Sequence, residues 1–256
     1  MMRDLEFALL LAQAADEISL ARFGSLDLSV ETKPDRTPVT DADRAVEAKL
    51  RQLIALERAG DGVIGEEFGN GESVSREWII DPIDGTANFL RGIPIWGTLI
   101  ALRIDGELKL SVVSAPAIGR RWWAEAGSGA FTQDINGATR QLAVSKVANM
   151  SDAYISYNSI QQWRQIGKAE KIVALSDTVW RTRALGDFLS YMYVAEGIID
   201  AAGEPDLKIY DIAALVPIVR EAGGTFSALD GELTDSSSVV LASNGLLHEQ
   251  MRSALN

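Results

Sequence analysis

A chain of 256 residues, 47% of them apolar and none a cysteine, can bury one large core or two packed halves, with no disulfide, thiolate site or cysteine nucleophile. Its 36 acidic against 24 basic residues leave a formal charge of -12, which argues against a general nucleic-acid binder and against an anionic membrane surface as partner. With His248 as the only histidine, a histidine-rich metal site is excluded, and a Ser-His-Asp hydrolase would have to recruit that one ring.

Phe7, Leu10, Leu11, Ala14, Ala15 and Ile18 recur at helical spacing between Asp4, Glu6, Asp16 and Glu17, so the first element reads as an amphipathic core helix and not a signal peptide. No apolar run reaches transmembrane length, and a cytoplasmic protein is expected. Lys33-Pro34-Asp35-Arg36-Thr37-Pro38, dense in breakers and charge, predicts a loop. A second helix is predicted from Thr40, with Asp43 in capping-box position and Val46, Leu50, Leu53 and Ile54 on one face. Asp43 reads equally well as a cap partner and as a site residue. Val63-Ile64 then suggests a short strand running into Gly65-Glu66-Glu67-Phe68.

Between Thr98 and Phe131 the pattern turns to short β-rich runs, Thr98 to Ile104, Leu108 to Ser114 and Arg121 to Glu125, with turns at Asp105-Gly106 and Asn136-Gly137. This predicts an antiparallel meander in which strand alternation sends Trp122 and Trp123 to opposite faces. Beyond about residue 145 strands alternate with helices, the strand candidates being Tyr154 to Tyr157, Thr178 to Arg183, Ile198 to Ala202, Thr225 to Ala228 and Val239 to Ala242. A helix from Ile209 to Ala222 ends at Gly223-Gly224 and should kink at Pro217. The expected halves are residues 1–143, an α+β half with the antiparallel sheet, and 144–256, an α/β half.

The segment Trp78-Ile79-Ile80-Asp81-Pro82-Ile83-Asp84-Gly85-Thr86 carries the chemistry, because an apolar strand runs into two carboxylates that cannot both enter a core uncompensated. Mg²⁺ takes oxygen ligands from carboxylates and carbonyls and binds substrate phosphate beside them. Pro82 stiffens the chain, Gly85 permits a tight bend, and Thr86 offers a hydroxyl and an N–H where a helix could meet an anion. The bland alternative is a polar turn after an edge strand. The spacing rules out an EF-hand loop, and it also fails the pattern of aspartyl-phosphate phosphatases, whose aspartates stand one residue apart. Asp211, in Ile209-Tyr210-Asp211-Ile212-Ala213-Ala214, is a further acidic candidate, although the helix dipole alone favours it there.

Taken in order, Val39-Thr40-Asp41-Ala42-Asp43, Gly65-Glu66-Glu67, Asp81-Pro82-Ile83-Asp84-Gly85-Thr86 with Asn88-Phe89, and Asp211-Ile212-Ala213-Ala214 resemble the signature segments of the inositol monophosphatase family of Mg²⁺-dependent phosphatases. The resemblance implies an α/β fold, an αβαβα layered sandwich, with two or three Mg²⁺ ions per active site. Glu66, Asp81 and the Ile83 carbonyl would hold the first ion, and Asp81, Asp84 and Asp211 the second. Glu66 would also reach a third. Gly85 and Thr86 would receive the phosphate through their N–H groups, and the Thr86 hydroxyl, linked to Asp43, would orient the attacking water. Tyr210 departs from the family's usual Trp before the third-segment aspartate, and Ala87 stands where Thr or Lys is frequent.

Arg120-Arg121-Trp122-Trp123-Ala124 and Ala184-Leu185-Gly186-Asp187-Phe188-Leu189-Ser190-Tyr191 are most similar to the family's histidinol-phosphate phosphatase branch. That resemblance implies hydrolysis of L-histidinol phosphate in histidine biosynthesis. Asp187 and Glu204 would face the amine and alcohol parts of the substrate, although either could instead cap a helix or sit on the surface, and Arg183 is a candidate for orienting acidic residues or substrate or, equally, for a structural ion pair. A broader monophosphatase acting on inositol 1-phosphate or sugar alcohol phosphates remains open, as does a noncatalytic regulatory protein of the same fold. A homodimer is the expected assembly.

Overall fold

The apolar strands of this chain read as nearly continuous runs because both faces of each sheet are covered. The computed structural model describes residues 2–32, 38–71 and 74–256. The longest helices, α1 (Asp4–Arg22) and α2 (Asp41–Glu57), flank the hairpin β1 (Val30–Thr32) and β2 (Pro38–Thr40). The strands β3 (Gly62–Gly65), β4 (Gly69–Asn70), β5 (Arg76–Asp84), β6 (Gly97–Ile104), β7 (Glu107–Ala115), β8 (Arg120–Glu125), β9 (Gly129–Gln133) and β10 (Thr139–Gln141) form one eight-stranded sheet in the order β10-β9-β8-β7-β6-β5-β3-β4. A short helix, α3 (Thr86–Arg91), interrupts it.

The second sheet has five strands, β11 (Tyr154–Ser156), β12 (Arg181–Arg183), β13 (Ala201–Pro205), β14 (Thr225–Ala228) and β15 (Val239–Ser243), in the order β12-β11-β13-β15-β14. Around it run α4 (Ile160–Gln165), α5 (Ala169–Ser176), α6 (Asp187–Ala195), α7 (Ile209–Ile212), α8 (Leu215–Glu221) and α9 (His248–Leu255).

Alternation along the strands sorts the core into layers. Trp78, Ile80, Ile100 and Leu102 pack on Phe7, Leu11, Val46 and Leu50 of α1 and α2. Their neighbours Ile79, Leu99 and Ala101 turn the other way, onto α6 and α8 and through them onto Ala202, Val240 and Ala242 of the second sheet. That sheet's outer face buries Ile155, Ala201 and Leu241 under Trp163, Ile172, Leu175 and Met251 of α4, α5 and α9. The result is the expected αβαβα sandwich. Trp122 enters the layer between the sheets, and Trp123, on the opposite face, stacks on Phe131.

Several sequence expectations need adjustment. The meander expected from Thr98 to Phe131 is present as β6-β7-β8-β9, but the sheet of this half is not wholly antiparallel, since β3 runs parallel to β5. Thr178 to Trp180 are not strand; β12 is only Arg181–Arg183. Ile198 and Ile199 are not strand either, because their N–H groups bond the Tyr193 carbonyl and close α6, so β13 begins at Ala201 and takes in Glu204. The predicted kink at Pro217 is a full break at Ala213-Ala214: proline has no N–H to offer the carbonyl four residues back, and Pro217 sits in the first turn of α8, where none is needed. The predicted loop at Lys33 to Thr37 lies outside the described residues, whereas Pro38 opens β2. His248 is buried, its ring nitrogens 2.9 Å and 3.0 Å from the hydroxyls of Ser227 and Ser243.

Candidate active site

Residues three apart on a regular strand face opposite ways, so Asp81 and Asp84 could not meet on an ordinary β5. The β5–β6 register slips between the pairs Asp81↔Leu99 and Asp84↔Gly97, giving β5 the extra residue of a bulge. Pro82 has no N–H to lose there, and its carbonyl is held at 2.8 Å by the Thr98 hydroxyl. The bulge swings Asp84 to the side of Asp81, where α7 presents Asp211. One carboxylate oxygen from each of the three lies within 4.8 Å of the others.

Every member is braced by backbone. Asp81 accepts from Ile83 N–H at 3.0 Å, Asp84 from Phe188 N–H at 2.7 Å, and Asp211 from Lys208 N–H at 2.6 Å. On the opposite wall Thr40 caps α2, and Asp43 Oδ2 accepts the N–H of Thr40 at 2.9 Å and its hydroxyl at 2.5 Å. The other oxygen of Asp43 lies 3.3 Å from the Thr86 hydroxyl, which also reaches the Ile83 carbonyl at 3.0 Å. Asp43 thus serves as cap partner and touches the Thr86 hydroxyl as well. Gly85, at φ +85°, turns the chain into α3 just before Thr86.

The electrostatics are those of neighbouring carboxylates that repel one another. Burial raises the carboxyl of Asp81 well above its ordinary range, with Glu66, Asp84, Asp211 and Asp43 adding to the effect. Burial and then Asp187 do the same for Asp84. Asp211 is pushed up to about 7 by burial, against the hydrogen bond from Lys208. Asp43 is raised as well, mainly by burial. Glu66 lies half-buried on the turn after β3, near enough for its charge to act on all three of Asp43, Asp81 and Asp211. An all-oxygen set of hard donors, buried and mutually repelling, is what a divalent cation such as Mg²⁺ requires.

Two further acids close the site. Asp187 begins α6 in a left-handed conformation (φ +50°), a strain that aspartate tolerates better than most residues. Its Oδ2 accepts from the Asn88 amide at 2.8 Å and lies 3.3 Å from where a Cβ on Gly85 would sit. Burial raises it to about 6. Glu204, 5% exposed on β13, accepts from the Asn158 amide and from the Tyr191 hydroxyl at 3.4 Å. Its carboxyl is raised well above the usual range by burial and then by Asp187 and Asp211. Among the described residues neither acid has an ion pair with Lys or Arg. Arg183 stands apart: it is exposed, donates to the Thr182 carbonyl at 2.8 Å and lies over the Tyr154 ring, and it bonds none of these acids.

Sequence reasoning gave no role to Asn88, Asn158 or Tyr191, nor to the N–H of Phe188. Asn88 stood inside a recognised motif, so its amide could have been suspected. Asn158 follows a predicted strand as an ordinary turn residue, and a backbone N–H from a distant helix leaves no trace in residue identity.

This bulge, acid cluster and layer order define a sugar-phosphatase-like hydrolase, and the comparisons name the family. The chain matches the inositol monophosphatase family over residues 2–256 and belongs to it, and the family is metal-dependent. It is 52% identical over 254 residues to the histidinol-phosphatase of Mycobacterium tuberculosis, covering 99% of this chain and 98% of that protein. The histidinol-phosphatase of Streptomyces coelicolor is 48% identical over 257 residues, covering 99% and 97%. Among solved structures, an inositol monophosphatase of Thermotoga maritima superposes with a TM-score of 0.89 at 32% identity, covering 100% of this chain and 97% of that one. No helix among the described residues is long and apolar enough to cross a membrane.

Proposed function

We infer that this protein is a Mg²⁺-dependent phosphomonoesterase that hydrolyses L-histidinol phosphate to L-histidinol and phosphate. One observation carries the substrate: the Asp187 carboxylate, without a basic partner among the described residues, adjoins the bend at Gly85 that would cradle the phosphate. Histidinol phosphate bears its ammonium group only two carbons from the ester oxygen, so the countercharge must lie beside the phosphate site. Glu204 lines the same side and accepts from Asn158 and Tyr191, which fix its orientation toward the alcohol. The two relatives named histidinol-phosphatase support the same reading.

Glu66, Asp81, Asp84, Asp211 and the Ile83 carbonyl would hold two or three Mg²⁺ ions. Bound there, Mg²⁺ neutralises the phosphate dianion, lowers the pKa of an attacking water and stabilises the departing alkoxide. Gly85 and Thr86 present backbone N–H groups to the phosphate. Thr86 donates its hydroxyl proton toward Asp43 or Ile83, which leaves a lone pair free to accept from the attacking water and aim it in line with the leaving group. Asp43, raised by burial, is suited to take up proton density through that hydroxyl. No side chain attacks phosphorus.

The same reading has the two halves, 1–143 and 144–256, each contributing to the site, the first with Glu66, Asp81 and Asp84 and the second with Asp187, Glu204 and Asp211. It includes a cytoplasmic homodimer, which rests on membership of the family. Light scattering checks the assembly. The activity is tested by phosphate release from histidinol phosphate and inositol 1-phosphate side by side, with Mg²⁺ and with EDTA. A Mg²⁺-dependent preference for histidinol phosphate is expected. Equal or reversed activity would reject the substrate, and no activity on either would reject the enzyme.

A further inference from the structure

A glutamate in the middle of a helix ordinarily faces water, yet Glu47 on α2 is 0% exposed. It stands one helical turn after Asp43 and one before Arg51, so the three form a stripe spaced by roughly 6 Å along one side of the helix. Each ends on a different part of the site. Asp43 takes the Thr86 hydroxyl. Glu47 accepts from the N–H of Glu67 at 2.7 Å and of Phe68 at 3.2 Å, the two residues that follow Glu66. Arg51 donates to Glu47 at 2.8 Å and to the Gly69 carbonyl at 2.5 Å, at the far end of the same turn. On the near side, a Cβ at Gly65 would lie 2.5 Å from the carboxyl carbon of Glu47, so glycine before Glu66 leaves the space this carboxylate fills.

We propose that Glu47 is a positioning residue for metal binding: by accepting the two backbone N–H groups that follow Glu66, and by filling the space beside Gly65 before it, it sets that carboxylate against Asp81 and Asp211. The stripe Asp43–Glu47–Arg51 thereby ties the Glu66 arm of the site and the Thr86 arm to one rigid helix. This rests on the reading of Glu66 as a metal ligand. The charge of Glu47 matters because three donors converge on it, two backbone N–H groups and the Arg51 Nε–H. A carboxamide of the same size must turn an NH₂ toward at least one of them, which frees the turn without opening a cavity.

The test is calorimetric titration of the EDTA-treated full chain with Mg²⁺ alone, for wild type, Glu47→Gln, Arg51→Lys and Glu66→Gln, with a melting curve of each. Loss of a partner that orients a ligand weakens metal binding by about 10- to 100-fold, and that is expected for Glu47→Gln, with kcat restored at saturating Mg²⁺. A smaller loss is expected for Arg51→Lys, and one at least as large for Glu66→Gln. A Mg²⁺ affinity unchanged in Glu47→Gln but weakened in Glu66→Gln overturns the inference, even if the melting temperature falls, since a merely structural role moves only the melt. Wild-type affinity in Glu66→Gln would instead overturn the assignment of Glu66 as ligand. Should Glu47→Gln give no cooperative melt, Arg51→Lys decides, and an unchanged Mg²⁺ affinity there overturns the proposal.

Discussion

Replacing Asp81 by Asn should make the metal-free protein more stable while abolishing its activity. Asp81, Asp84 and Asp211 bring carboxylate oxygens within 4.8 Å of one another. At an effective dielectric constant of about 20, each ionised pair at that separation repels by about 3.5 kcal/mol, so a charged Asp81 bears about 7 kcal/mol from its two neighbours. Protonation is the cheaper escape. With Asp211 lifted to about 7, keeping one proton in the cluster at pH 8 costs about 1.4 kcal/mol. These two figures bracket the gain on removing the charge, and at about 2 to 4 °C per kcal/mol they predict a melting temperature about 3 to 28 °C above wild type. The Asn side chain still accepts from Ile83 N–H through Oδ1, so the turn survives. Differential scanning calorimetry at pH 8 in EDTA and then in millimolar Mg²⁺ measures both sides. Wild type should rise steeply with Mg²⁺ and the variant barely move. An Asp81→Asn protein that melts at or below wild type without metal, or that turns over substrate normally, would refute the reasoning.

Because burial raises Asp211 from 3.8 to about 7, the folded chain between those values keeps a proton that the unfolded chain has lost. Metal-free stability should therefore fall as the pH rises from about 5 to about 7, a window clear of the lowered surface carboxyls Glu6, Asp27 and Glu31; a melting series in EDTA that rises across it contradicts the assignment. Asp43→Asn should lower kcat by about 100-fold or more with little change in KM, since the Thr40 N–H claims the one remaining amide oxygen and turns an NH₂ toward the Thr86 hydroxyl; steady-state kinetics would expose the error if KM moved instead. Asp187→Asn should raise KM for histidinol phosphate by about 10- to 100-fold, the worth of one charge-assisted hydrogen bond, and leave inositol 1-phosphate unaffected. An equal effect on both substrates would remove Asp187 from amine recognition.

What the sequence made legible was local. The Thr40–Asp43 capping box and the Asp81 to Thr86 segment act within a few residues, and their identities suffice to place them, whereas Pro217 signalled a disturbance that falls before it, at Ala213-Ala214. The convergence of Asp81 with Asp84 came from the family resemblance and not from the residues themselves, because the bulge exists only relative to β6. Glu204 was recognised as a site residue but not as part of a strand: Ile198 and Ile199, good strand formers, are diverted into closing α6 by the Tyr193 carbonyl, and the strand starts three residues late. Glu47 escaped notice because a helical glutamate is solvated in the usual case, and nothing near it in sequence announces the N–H groups it serves. Arg183, a candidate for orienting acidic residues or substrate or for a structural ion pair, lies over an aromatic face and donates to a neighbouring carbonyl, neither of which its identity announces.

The single imidazole, held between Ser227 and Ser243, gives this protein a spectroscopic signature of its own. Burial depresses the basicity of His248, so in the native state its ring protons should titrate at lower pH than those of an ordinary histidine, and on unfolding the midpoint should move up. In a proton NMR spectrum of the enzyme turning over histidinol phosphate, any imidazole resonance beyond that one belongs to substrate or product. One tube would then report the integrity of the C-terminal half and the progress of the reaction together, without a label on either.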